Sequence, residues 1–314
     1  MIPEIYPKAT MAEYLAVKAF SGGLAQTLLN KSALHAWTDS PWNPARERDD
    51  SDAADIGTFA HACLLEGGTD ALVICPFDDW RKNDAKAMRE QARSMEKLPI
   101  LQHKVPEVEA MVKAAKEYVA SSEIAGVFDT GSAEQTLVWY EAQESVTFPD
   151  LLVPSVKYTA YKEGTGVLCK ARPDWLTADR KLCLSYKTTK GSAQPDAWIR
   201  TQLPGYDAGM VLYERGVRAL CEVEAVRLVH LVQEQAAPYS CSLIALSPAW
   251  CDLAERKLDT ALAIWKSCLQ SGVFPAYPTR ICYAEPKPWQ LEQAEEQETE
   301  GTFADPSILW GKPE

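Results

Sequence analysis

The chain has 314 residues, a mass of 34.8 kDa and a formal net charge of −12 at pH 7. Its length and 46% hydrophobic content predict a globular protein of one large domain or two small ones. The acidic balance argues against broad, non-specific affinity for nucleic acid, so any DNA contact needs a local basic surface.

Several other classes of protein are also disfavoured by the sequence. No run approaches the roughly 20 apolar residues of a membrane span, and the N-terminus lacks the basic and apolar regions of a secretory signal. We therefore expect a cytoplasmic protein without a membrane partner. Nine scattered cysteines form no C-x-x-C pair, which disfavours a zinc ribbon or a disulfide framework. Neither a phosphate-binding glycine loop of the G-x-x-x-x-G-K-[ST] type nor a G-x-S-x-G nucleophile motif occurs.

The N-terminal part is predicted to be helical. Residues 11–48 begin as a helix and become irregular at Ser40-Pro41, and the segment from Ile56 forms an apolar helical face that contains His61. Residues 79–122 are predicted to form two polar helices separated at Leu98-Pro99. Five basic residues fall within thirteen positions there, which makes this stretch the best candidate for a surface that follows phosphates. They are Arg81, Lys82, Lys86, Arg89 and Arg93.

Strand patterns dominate the second half of the chain. Residues 133–140 alternate as a strand, and a run over 167–176 is joined by a turn at 177–180 to a second strand from Leu182, which predicts a β-hairpin. Two further strands are expected within 222–233 and 239–246. Ser247-Pro248 then begins the clearest helix, which ends at Gly272. The segment 291–314 is expected to be an acidic C-terminal tail that is mobile or docks on a partner.

The predicted hairpin carries a group of polar residues that suggests metal-dependent phosphodiester chemistry. It brings Asp174 near Ser185 and Lys187, and residues two apart on a strand point to the same side. An acid on one strand with an acid and a lysine on the next can hold Mg²⁺ against a phosphate, while the lysine orients or helps deprotonate the attacking water. Here Ser185 stands where the second acid is expected.

These residues resemble the signature of the PD-(D/E)XK nuclease superfamily, with Pro173-Asp174 followed by Ser185-Tyr186-Lys187. Residues 55–66 resemble the GTxxHxxxLE motif of its RecB/RecE branch, in which the histidine binds metal. The segment that begins at Ser21 and continues to Ser40-Pro41 is similar to the entry segment of phage exonuclease VIII-like proteins. The resemblance extends from about residue 14 to about residue 290.

The resemblance implies an α/β fold of the PD-(D/E)XK, restriction-endonuclease-like kind. Its core would be a central mixed β-sheet flanked by helices, within one nuclease-like domain over 1–290. That domain would comprise a helical N-terminal elaboration at about 11–125 and the core sheet at about 133–272. It also implies a Mg²⁺ or Mn²⁺ cofactor, held by His61, Asp174 and the Tyr186 carbonyl, with Lys187 serving the water and Glu134 as an auxiliary ligand. The helix motif of the family corresponds here to Tyr206, Gly209 and Tyr213, with glycine replacing its glutamine. If the protein binds DNA, the local charge predicts contacts at the five basic residues above or at Lys170, Arg172 and Lys190.

Two functions follow as alternatives. The first is a Mg²⁺-dependent 5′-to-3′ double-strand exonuclease of phage recombination, encoded by a phage or prophage and acting in the bacterial cytoplasm. Its partners would be double-stranded DNA, a single-strand annealing protein and further copies of itself. The second is a protein that keeps the nuclease fold but has lost the chemistry and binds DNA or protein. Ser185 and Gly209 favour the second, whereas His61, Glu134, Asp174 and Lys187 favour the first.

Overall fold

The computed structural model describes residues 2–46, 56–66, 68–95, 97–141, 144–146, 155–157 and 166–299. The predicted insertion at 142–164, the Asp55 that begins the GTxxHxxxLE segment and most of the C-terminal tail lie mainly or wholly outside these residues. The chain divides into two compact units, Met1–Ala276 and Tyr277–Glu314. No helix among the described residues is long and apolar enough to cross a membrane.

Ten α-helices lie within the described residues, and five of them begin at a residue whose side chain caps the helix. Thr10 and Glu13 form a capping box at the first helix, and Ser21, Ser32 and Ser247 cap later ones. In chain order they are α1 (Met11–Ala16), α2 (Gly22–Asn30), α3 (Ala33–Thr38), α4 (Ile56–Leu65), α5 (Asn83–Ser94), α6 (Val105–Ala120), α7 (Pro195–Thr201), α8 (Asp207–Leu220), α9 (Pro248–Ser271) and, in the second unit, α10 (Pro288–Thr299).

Most strands are short, and four separate sheets are formed within the described residues. They are β1 (Glu4–Tyr6), β2 (Leu72–Cys75), β3 (Leu98–Leu101), β4 (Gly131–Ala133), β5 (Thr136–Glu141), β6 (Glu144–Val146), β7 (Ser155–Lys157), β8 (Val167–Ala171), β9 (Trp175–Thr177), β10 (Leu182–Thr189), β11 (Arg227–Glu234) and β12 (Cys241–Ala245).

The central sheet has the order β12-β11-β10-β9-β4 and is mixed. Only β10 and β11 are parallel, and the chain between them forms α7 and α8, as a parallel crossover requires. A second, antiparallel sheet has the order β1-β5-β8. The predicted α/β architecture, a central mixed sheet flanked by helices, is therefore confirmed.

Alternation along β10 divides the core into two layers. Leu184 and Tyr186 face a layer that α4 and α6 complete, whereas Cys183 faces the larger layer of α2, α8 and α9. Ser185 and Lys187 share the second direction, and they meet the start of α8 at a small cavity. Polar residues on β10 therefore lie under α8 although the sheet is covered on both faces.

Three sequence predictions need correction. Leu98-Pro99 does not merely separate two helices, because it belongs to β3, which pairs in parallel with β2. The strand expected over 133–140 is interrupted after Ala133, and the run over 167–176 is split into β8 and β9. The α10 helix, which reaches into the expected tail, has no buried residues. The α9 prediction is confirmed, with Ser247 as N-cap and Gly272 as a left-handed C-cap.

Candidate metal centre

The candidate site lies where two strands pass from one sheet to the other. One strand leaves the central sheet at Ala133 and enters the second sheet at Thr136, and the other makes the reverse passage between Ala171 and Trp175. Glu134 and Asp174 occupy these two gaps. Glu134 has a φ of 53°, which is rare for a residue with a side chain, and its N–H donates to the Asp174 carbonyl over 3.3 Å. The two acids therefore meet because both strands break at the same place.

Asp174 is buried and uses one carboxylate oxygen to fix its position. Its Oδ2 accepts hydrogen bonds from Ser185 Oγ at 3.0 Å, Tyr186 N–H at 2.8 Å and Lys187 Nζ at 3.1 Å. Burial alone would raise the pKa of Asp174, but the charges of Lys187 and His61 hold that pKa below its ordinary value. Asp174 is therefore ionised at neutral pH, with Oδ1 not used by these three donors.

Glu134 is fixed in the same way by Arg172. Arg172 Nε donates to Glu134 Oε2 at 2.5 Å, and its Nη1 donates to the Ala9 carbonyl at 2.7 Å and to Thr136 Oγ1 at 3.0 Å. Burial and the nearby Asp174 carboxylate raise the pKa of Glu134, while Arg172 and His61 oppose the rise. The guanidinium therefore directs Oε1 of Glu134 towards the remaining groups of the site.

His61 reaches the two acids from α4. Its Nε2 lies 3.6 Å from Glu134 Oε1 and 3.8 Å from Asp174 Oδ1, and its Nδ1 lies 3.3 Å from Glu66 Oε1. Burial lowers the pKa of His61, but the surrounding carboxylates outweigh burial and raise it to about 10. Gly57 permits this approach, because a Cβ there would overlap Thr188 Oγ1 on β10.

These donors fit a divalent cation. Each acid binds the protein through one oxygen and places the other 3.6 or 3.8 Å from His61 Nε2, and a cation with bonds of about 2.1 Å has ligand atoms roughly 3 to 4 Å apart. Single ligand atoms of His61, Glu66 and Glu134 also lie within 4.8 Å of one another, so Glu66 is a further candidate ligand. Carboxylate oxygens suit Mg²⁺ and Mn²⁺, whereas imidazole favours Mn²⁺ over Mg²⁺. A carboxylate behind a ligating histidine, here Glu66, commonly orients its ring. The sequence motif contained Glu66, but no role for it was predicted.

Ser185 and the helix motif border a cavity beside this site. The cavity measures about 160 Å³ and lies between α2, α8 and the β10–β11 pair. Lys187 Nζ lies 5.6 Å from the centre of the Tyr206 ring. Gly209 and Gly22 bring α8 and α2 together, since a Cβ on Gly22 would lie 3.0 Å from Gly209 Cα. Gly209, which stands where the family motif has glutamine, therefore lies at a close contact between α2 and α8 and borders the cavity.

His230 is a further polar group in this cavity that the sequence interpretation missed. It pairs with Ser185 in the register of β10 and β11, is fully buried, and neither ring nitrogen has a hydrogen-bond partner among the described residues. Burial, with the Lys187 charge, lowers its pKa to about 3, so the ring is neutral. A histidine within the apolar run Leu228–Val232 was the available signal.

The predicted DNA-binding residues differ in their surroundings. The Arg172 guanidinium is nearly buried and holds Glu134. Arg81 is exposed beside Asp79, and Lys82 and Lys86 are also exposed near the start of α5. Arg89, Arg93 and Lys190 lie together in a separate cleft. The Tyr186 carbonyl, a predicted metal ligand, lies 3.4 Å from Lys187 Nζ.

Comparison with known proteins supports the nuclease-like fold. Residues 154–285 match a family described as "PDDEXK-like domain of unknown function (DUF3799)". The structure is similar to that of a protein from Eubacterium rectale called "Putative exonuclease", with a TM-score of 0.53 and 11% sequence identity over 90% of this chain and 98% of that chain. No curated protein matches the chain in sequence. The fold is thus of the PD-(D/E)XK type, and a nuclease-type function is supported.

Proposed function

We propose that this protein is a metal-dependent deoxyribonuclease that digests duplex DNA from an end, of the 5′-to-3′ type. The observation that carries the proposal is the pairing of Asp174 and Glu134, each with one oxygen bound by a cationic side chain and the other directed at His61. An oxygen-rich ligand set of this kind is suited to Mg²⁺ or Mn²⁺. The proposed setting is phage recombination in the bacterial cytoplasm, with an annealing protein and a homo-oligomer as partners.

The proposed roles follow from the contacts. Asp174 Oδ1, Glu134 Oε1 and His61 Nε2 would hold the cation, with the Tyr186 carbonyl as a further ligand. When bound, the cation supplies Lewis-acid stabilisation to the phosphate and lowers the pKa of water. Lys187, held 3.1 Å from Asp174 Oδ2, would orient the attacking water and offset negative charge on the phosphate. Arg172 positions Glu134 and does not contact the reacting groups.

A non-catalytic DNA- or protein-binding function is the second candidate. It is favoured by Ser185, whose buried hydroxyl donates to Asp174 where the related nucleases carry an acid. Loss of one carboxylate weakens divalent-cation binding, because such ions are held mainly by anionic oxygen.

Degradation of labelled DNA distinguishes the two candidates. Linear duplexes labelled at the 5′ or the 3′ end, and a closed circular duplex, are incubated with Mg²⁺ or Mn²⁺. The proposal predicts that linear DNA shortens from its 5′ ends, that circular DNA persists, and that Asp174→Asn abolishes the activity. Asp196→Asn, which alters an exposed carboxylate on α7, is the matched control and should retain it.

Two other outcomes would count against the proposed nuclease function or its site. Equal inactivity of the parent and Asp174→Asn, together with binding of DNA by both, would favour the non-catalytic candidate. Degradation that survives Asp174→Asn would place the chemistry elsewhere and refute the site.

A further inference from the structure

A second cleft lies just beyond the C-terminal end of β10, the strand that carries Lys187. It has a volume of about 410 Å³ and is bordered by the start of α4, the α5 helix, β3, the start of α6 and the residues that follow β10 and β11. Its walls are of two kinds. The apolar residues are Ile56, Phe59, Trp80, Leu98, Pro99 and Leu101, and the basic residues are Arg89, Arg93, Lys97, Lys104 and Lys190.

The charge of this basic-aromatic cleft is opposite to that of the whole protein. Five cationic side chains and a single carboxylate, Glu107, line it, in a chain of net charge −12. Glu90 lies 3.3 and 3.4 Å from Arg89 and Arg93, and Glu107 lies 3.4 Å from Lys104, so two carboxylates offset part of this positive charge. Lys97 and Lys190 have no ion pair within the described part of the chain. The cleft is therefore a local attractor for polyanions.

The apolar wall identifies which polyanion suits the cleft. Trp80 is partly exposed, and the Arg89 guanidinium lies 5.6 Å from the centre of its ring. Duplex DNA presents phosphates outward and keeps its base faces stacked inside. An unpaired strand exposes base faces, which stack on aromatic side chains while basic residues follow its backbone. An unpaired strand therefore suits both kinds of wall, whereas a duplex suits only the basic one.

Two elements connect this cleft with the candidate metal centre. The α4 helix carries Phe59 in the cleft and His61 in the metal centre, and Lys190 of the cleft directly follows β10, which carries Lys187 in the metal centre. Three residues of strand span about 10 Å. A strand that lies at the metal centre can therefore continue into the cleft.

We propose that the basic-aromatic cleft binds one or two unpaired nucleotides of a DNA strand that continues from the candidate metal centre. Trp80 stacks on a base, and Arg93, Lys97 and Lys190 bind phosphates. The proposal rests on the proposed nuclease function for the identity of the strand, but binding itself requires no catalysis.

Fluorescence anisotropy measures how tightly the protein binds a fluorescein-labelled dodecathymidylate and a blunt 12-base-pair duplex. The measurements are made in EDTA over a range of salt concentrations. The double variant Lys97→Glu/Lys190→Glu should weaken binding of the single strand at least about tenfold and reduce the salt slope by about 1.4, as expected for two lost phosphate contacts. The matched control, Lys31→Glu/Lys181→Glu, makes the same charge change at exposed positions outside the cleft.

Trp80→Ala tests stacking separately from charge. It should weaken binding of the single strand at least about fivefold, leave the salt slope unchanged and affect the blunt duplex less. Trp289→Ala, at an exposed tryptophan of the second unit, is its control. Melting curves of every variant verify that each is folded.

Three results would overturn the inference. The cleft variants could leave the affinity for the single strand unchanged, or Trp80→Ala could weaken binding of the single strand and of the duplex equally. The protein could also bind an acidic, aromatic peptide at the cleft more tightly than the oligonucleotide. DNA degradation with unchanged oligonucleotide binding would refute this inference alone. Loss of oligonucleotide binding in the cleft variants of a protein that never degrades DNA would refute the proposed nuclease function alone.

Discussion

Replacement of Ser185 by aspartate probes the one position at which the candidate site lacks an expected acid. Ser185 is 1% exposed, and its hydroxyl donates to Asp174 Oδ2 at 3.0 Å. A carboxylate at this position cannot donate that hydrogen bond and instead brings a second negative charge beside Asp174. Without a cation the change should destabilise the fold, and with a cation it should add an anionic ligand.

The expected magnitude follows from these contacts. Two like charges about 4 Å apart repel by roughly 4 kcal/mol at an effective dielectric constant near 20. Lys187 and His61 lie close enough to Asp174 to offset part of this repulsion. We expect a net loss of about 2 kcal/mol, which lowers the melting temperature of a domain of this size by roughly 4 to 8 °C. Divalent cation should reverse the loss, since a ligand that binds only the native state stabilises it.

Thermal melting in EDTA and at increasing Mn²⁺ concentrations measures both effects. Ser185→Asn, which is neutral, is the control. The aspartate variant should melt lower than the asparagine variant in EDTA, show the larger rise with Mn²⁺ and degrade duplex DNA faster than the parent. A variant as stable as the parent in EDTA, with no larger response to Mn²⁺, would refute the placement of Ser185 beside a cation site.

Three further predictions concern the surroundings of the site. Gly57→Ala should lower the melting temperature and weaken Mn²⁺ binding measured by calorimetry, because its methyl group would overlap Thr188, whereas Gly23→Ala, in open space, should not lower the melting temperature. The pKa of His61 is raised to about 10, so its protonated form stabilises the metal-free protein fully below about pH 6.5, and this stabilisation is lost as pH rises through about 10. His61→Gln should therefore lower the melting temperature in EDTA at about pH 6 but not at about pH 10. Gly209→Gln should change the free energy of unfolding by less than about 1 kcal/mol, since its Cβ would make only an ordinary 3.9 Å contact. Combined with Ser185→Asp, it should raise the rate of DNA degradation further.

Local signals in the sequence predicted the elements that depend on local interactions. The α9 helix was predictable from its Ser247-Pro248 start, its apolar spacing and Gly272, which are interactions within one helix. Asp174 could be matched with Ser185 and Lys187 because a hairpin joins neighbouring parts of the chain, even though β9 is only three residues long.

Features that depend on distant segments were not predictable in this way. The β3 strand was missed because its partner β2 lies some 26 positions earlier and its Leu98-Pro99 pair indicates a break. The break at Glu134 depends on a hydrogen bond to Asp174, forty residues later. Arg172 was expected at DNA because its exposure could not be inferred from sequence, and its partners Ala9 and Glu134 come from separate strand and loop regions. His230 reaches Ser185 only through the β10–β11 register.

The position of Mn²⁺ in crystals of the protein, located by anomalous diffraction, shows whether His61, Asp174 and Glu134 form a cation site. We expect one strong peak about 2.0 to 2.3 Å from His61 Nε2, Asp174 Oδ1 and Glu134 Oε1, with Asp174 Oδ2 still bound to Lys187. Asp174→Asn crystals treated identically should lose the peak. A peak away from these three atoms, or none at millimolar Mn²⁺, would refute the site.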